Sequence, residues 1–81
     1  MDKRAIERLK KDLLKNKSHD IFKNVQALFD LAYTTSDMEL NYTVRKICAE
    51  KAKKFKKDRP EHAEKYRQLY KKTLLFAAPL D

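Results

Sequence analysis

Six basic residues, Arg45, Lys46, Lys53, Lys54, Lys56 and Lys57, are the side chains whose type and spacing point most directly to chemistry. Placed on a helix at 100° per residue, they fall opposite an apolar arc of Leu40, Val44, Ile47, Cys48, Ala52 and Phe55, interrupted by Glu50. A stripe of this kind neutralises phosphates, with an affinity that falls steeply with salt and carries little sequence information. Arg59, Lys65, Arg67, Lys71 and Lys72 extend it if the next helix folds back alongside. Tyr42 lies off the apolar arc, beside Arg45 and Lys46, where an exposed ring can stack on a base. Lysines outnumber arginines 15 to 5, which suits backbone contact better than base reading, where bidentate Arg is the commoner tool. The competing readings of the same stripe are a plainly solvated face and a docking surface for an acidic protein.

Catalytic groupings are weaker. His19 sits beside Asp20 and His62 follows Glu61, far apart in the chain and outside any H-E-x-x-H or C-x-x-C pattern, so no metal ligand set is expected. The carboxylates are spaced with Lys or Arg at helical neighbours, as Glu7 is with Lys10 and Lys11, which is the pattern of a solvated helix face. The chain has no Gly, so no phosphate-cradling loop, dinucleotide fingerprint or nucleophile elbow can be built. A non-enzymatic protein without a cofactor is the expectation. The lone Cys48 lies at a helical apolar position, which predicts a small core residue and a reducing, cytoplasmic setting.

The elements that must position these residues follow from periodicity. With 81 residues, 40% of them charged, and only two Pro, the composition favours one helical domain over residues 1–81 with a thin core. A first helix runs from an N-cap at Asp2 to about Lys15, with Ala5, Ile6, Leu9, Leu13 and Leu14 on one stripe. Ser18 then caps a second helix, to about Tyr33, whose apolar positions Ile21, Phe22, Val25, Leu28, Phe29 and Ala32 follow the helical period while Leu31 widens the face, and this is expected to be the most buried of the set. Ser36 with Glu39 fits a capping box for a third helix from about Asp37 to Lys57. Pro60 suits the first turn of a fourth, with Ala63, Tyr66, Leu69, Tyr70 and Leu74 inward and Pro79 as its latest end. Short connections predict an all-α fold, a small bundle of four amphipathic helices packed in sequence. No run of apolar residues is long enough to span a membrane.

Charge is divided unevenly. Residues 1–40 carry 8 Lys or Arg against 7 Asp or Glu, and residues 41–81 carry 12 against 5. Nearly all of the net charge of +8 therefore belongs to the second half. The closing stretch is apolar on nearly every side. Leu74, Leu75, Phe76 and Leu80 are its candidate partner-binding residues, for a second copy, another protein or the remainder of a longer chain.

The segment Tyr66 to Asp81, Tyr-Arg-Gln-Leu-Tyr-Lys-Lys-Thr-Leu-Leu-Phe-Ala-Ala-Pro-Leu-Asp, resembles the lead-in to the ATPase domain of some tailed-phage terminase large subunits. In that family a tyrosine-containing helix runs into an apolar stretch and an acidic residue before the motor begins. The resemblance covers about the last fifth of the chain and implies an N-terminal helical region of a DNA-packaging motor, with DNA, the small subunit or the portal as partners. No Walker motif or nuclease carboxylate of the family is present, so no catalytic residue carries over. The expected function is a DNA-associated module. The alternatives are a protein docking or oligomerisation domain and a small phage regulator of a host protein.

Overall fold

Sequence periodicity becomes four α-helices in the computed structural model, which describes residues 3–77. They are α1 (Lys3–Leu13), α2 (Phe22–Thr35), α3 (Met38–Phe55) and α4 (Pro60–Ala77), with a short 3-10 helix, Asn16–Asp20, between the first two. Among the described residues there is no strand, and the fold is a small all-α bundle. Asp2 and Pro79, expected to bracket the outer helices, lie outside the described residues.

The core is built where three apolar stripes meet. Val25, Leu28 and Ala32 of α2, Leu40, Val44, Ile47, Cys48 and Phe55 of α3, and Ala63, Tyr66 and Leu69 of α4 are buried together. Helices α3 and α4 run antiparallel, since Arg45 reaches Thr73 near one end and Phe55 stacks on Tyr66 near the other. Helix α2 runs parallel to α4, with Phe22 edge-on to Tyr66 and Phe29 edge-on to Phe76. The bundle is flat, 39 × 31 × 14 Å, little thicker than one helix. Helix α1 buries no residue fully. It rests on α2 through the half-buried Ile6 and Leu13 and is tied down by the Lys10 ammonium, 3.0 Å from the Asp37 carboxylate.

Five expectations need correction. Ser18 does not cap α2: residues 16–20 turn as a 3-10 helix, Ile21 is extended, and α2 begins at Phe22 without a side-chain cap. The cap of α3 is Asp37, whose carboxylate accepts from the Leu40 amide at 3.0 Å. Ser36 instead closes α2 with φ 54° and ψ 38°, the left-handed geometry that ends a helix. Helix α3 stops at Phe55, and the backbone then turns through Lys56, Lys57 and Asp58. In α4 the inward residue is Thr73, fully buried, whereas Leu74 is 43% exposed. The most deeply placed helix is also α3 rather than α2, with six buried residues against four.

Candidate nucleic-acid interface

Helix α3 supplies the scaffold of the basic face. Its core side is fixed by Leu40, Val44, Ile47 and Cys48, so residues on the far side of the wheel have no choice but to face outward. Tyr42, Lys46 and Lys53 are exposed there, and Lys56 and Lys57 are exposed in the turn that follows. Tyr42 keeps 56% of its surface open. The Lys46 ammonium is 5.6 Å from its ring centroid and the Arg45 guanidinium 6.0 Å, which places two cations around one open aromatic face. Among the described residues Lys46, Lys53, Lys56 and Lys57 form no ion pair.

Arg45 and Lys54 are placed differently from the other four. Each sits about 90° round the helix from the core centre, on opposite flanks, and each is drawn into a contact within the protein. Arg45 donates from Nη2 to the Thr73 carbonyl at 3.2 Å and from Nε to the Thr73 hydroxyl at 3.4 Å. It shares that carbonyl with the buried Asn41, whose Nδ2 donates at 3.1 Å. Lys54 lies 2.9 Å from the Asp20 carboxylate, with its ammonium 5.2 Å from the Phe55 ring centroid.

Lys51 belongs to the same arrangement and escaped the sequence reading. Only 15% of its side chain is exposed, and its ammonium lies 2.8 Å from Asp20. A lysine inside the apolar arc of α3, four positions after Ile47, was the available signal that a carboxylate must come to it. The two ammonium groups hold the Asp20 carboxyl down at about 2, below its ordinary value of 3.8.

Asp20 arrives through the 3-10 helix, which is pinned by contacts from α4. The Tyr66 hydroxyl donates to the His19 carbonyl, and His62 Nε2 donates to the Asp20 carbonyl at 2.9 Å. Tyr66 is fully buried, and burial pushes its phenol up to about 12. The two histidines thus meet at one hub, where His62 serves to fix backbone. Burial, followed by the neighbouring Lys51 charge, disfavours protonation of His19. Among the described residues, no group of three or more His, Cys, Asp or Glu is placed to hold a metal ion, and no helix is long and apolar enough to cross a membrane.

The second helix of the basic surface contributes in part. Arg67 and Lys71 lie on the flank of α4 that adjoins α3. Lys65 lies on the flank towards α2, beside Lys23 and Gln26, and Arg59 reaches over the Phe55 ring at 5.7 Å. Arg67 pairs with Glu64 at 2.9 Å. At the apolar end, Leu74 and Leu75 are exposed, the latter by 70%. Phe76 turns inward, packing on Phe29 and Tyr33 with ring centroids 6.1 and 5.4 Å apart. Leu80 lies outside the described residues.

No family model, no curated protein and no solved structure matches this chain.

Proposed function

We propose that this chain is a non-enzymatic module that associates with duplex DNA through its phosphates, without reading sequence. The observation that carries the reading is the row formed by Lys46, Lys53, Lys56 and Lys57, four exposed ammonium groups with no carboxylate partner among the described residues. The row runs about 10.5 Å along α3 from Lys46 to Lys53 and continues into the turn at Lys56 and Lys57. Duplex DNA offers one phosphate per about 1.7 Å of its axis, so each of the four lysines can find a phosphate along that length. Tyr42, at one end of the row, adds a ring that can stack where a base is accessible. Arg45 and Lys54 act mainly within the protein: the first holds the end of α4, and the second holds the 3-10 helix through Asp20. The resemblance of Tyr66 to Asp81 to a terminase lead-in makes DNA packaging the setting proposed for such a module.

Four released counterions give a slope of about −3.6 in log affinity against log salt. Binding should therefore weaken roughly 150-fold between 50 and 200 mM salt. Fluorescence anisotropy with two duplexes of unrelated sequence, each titrated at both salt concentrations, tests this. Similar affinity for the two duplexes and the steep loss with salt support the reading. No binding at the lower salt, or binding indifferent to salt, rejects it.

A further inference from the structure

Beside the phosphate-contacting row, and distinct from it, an apolar trough runs between α3 and α4. Its volume is about 440 Å³, with Cys48, Ala49 and Ala52 on one wall and Tyr70 and Leu74 on the other. The trough exists because α3 turns small residues to this side while α4 turns large ones, so the two helices touch below and leave a gap above. Cys48 is fully buried at the base, Ala49 is exposed, and Leu74 keeps 43% of its surface open. The α4 edge is cationic: Arg67 and Lys71 belong to the lining. Glu64 partly offsets Arg67 at 2.9 Å, whereas Lys71 forms no ion pair among the described residues.

We infer that this trough docks an amphipathic helix of another protein, one that carries Asp or Glu on a flank of its apolar stripe. The length fits such an occupant. From Arg67 to Leu74 is seven residues, about 10.5 Å, which matches apolar anchors at i, i+4 and i+7 of an incoming helix. The small floor of Ala49 and Ala52 lets those anchors approach, and the cationic edge supplies the charge that selects an acidic flank. A second copy of this chain fits poorly. A two-fold interface on this trough would set Arg67 and Lys71 against their own copies in a protein of net charge +8. An apolar floor likewise offers nothing to a phosphate.

A fluorescent helical peptide of roughly 18 residues, long enough to hold a helix, serves as the probe. It carries Leu at the anchor positions and Glu on both flanks, and a matched peptide carries Lys in place of Glu. Anisotropy is measured with the full chain, with Ala49→Trp, which fills the trough from an exposed position, and with Lys71→Glu; circular dichroism checks each variant's helicity. The expected result is binding of the Glu peptide, no binding of the Lys peptide, and a loss of roughly tenfold in each variant at unchanged helicity. Equal binding of the two peptides, or affinity for the Glu peptide that neither variant alters, would overturn the inference. So would self-association of the unmodified chain in sedimentation that Ala49→Trp abolishes, because the trough would then belong to a second copy.

Discussion

Removing one oxygen atom, by Tyr66→Phe, tests whether the 3-10 helix is held from α4. The ring itself is secured independently, edge-on to Phe22 at 5.4 Å and to His62 at 4.9 Å, and stacked over Phe55 at 6.0 Å. Phenylalanine keeps those contacts, so the change isolates the hydroxyl's bond to the His19 carbonyl. One neutral hydrogen bond contributes about 1 kcal/mol, and a carbonyl left without a partner in a half-buried segment adds up to about 1 more. The expected loss is therefore about 1–2 kcal/mol, or roughly 4–15 °C in Tm for a domain of this size. A second signature is alkaline. The Tyr66 phenol stands at about 12 against an ordinary 10.0, so between those values the unfolded chain binds fewer protons than the folded one. Stability contributed by this group is complete below pH 10 and is lost as pH rises towards 12, by about 2 kcal/mol. Phenylalanine has no proton to lose, so the variant's stability should fall less steeply over that interval. Urea unfolding at pH 7 and across pH 9–11 measures both effects. A variant within about 0.5 kcal/mol of the parent at pH 7, with the same alkaline decline, would show that the hydroxyl does not hold the segment.

Cys48 is fully buried, and burial pushes its thiol up to about 12 from 9.0; alkylation of the native protein should be slow and should track unfolding, while rapid labelling at neutral pH contradicts its placement. Because its folded value is raised, Cys48 also contributes to loss of stability above pH 9, which Cys48→Ala should reduce. Asp20→Asn should cost about 1 kcal/mol or less, since the carboxylate is 42% exposed and screened by solvent. With its folded value lowered to about 2 from 3.8, that contribution is present above pH 4 and should disappear as pH falls through 2. The same variant frees the half-exposed Lys54 on the flank of α3, so its salt slope for DNA should steepen by at most about 0.9, while Lys51, on the core side of the helix, adds nothing. Asp37→Ala should cost about 1 kcal/mol through the lost cap, whereas Asp37→Asn should keep the cap and lose only the Lys10 tether, seen as faster hydrogen exchange in α1.

Periodicity was enough to place the core of α3 and the inward Ala63, Tyr66 and Leu69 of α4, because a helix of fixed pitch leaves a regular apolar stripe no other face to use. It failed where distant residues decide. Ser18-His19-Asp20 has the composition of a helix start, yet its conformation is fixed by Tyr66 and His62, 47 and 42 positions from the carbonyls they hold. Hydrophobicity put Leu74 inward, but the pitch of the Ala63, Tyr66 and Leu69 stripe places Thr73 at its centre, where the Thr73 hydroxyl is satisfied by the Tyr70 carbonyl and by Arg45. The basic face was legible as composition and as a wheel. Which of its cations are engaged was not, because Asp20 and Thr73 approach from elements whose register the α3 sequence does not encode.

The claim that this protein neutralises DNA phosphates with Lys46, Lys53, Lys56 and Lys57 is tested most directly by replacing all four with Gln and measuring the salt slope. All four side chains are exposed, so the fold should be retained. The slope of log affinity against log salt should become shallower by about 3.6, four phosphate contacts at about 0.9 each. A folded variant with the parent's slope and affinity would contradict the assignment.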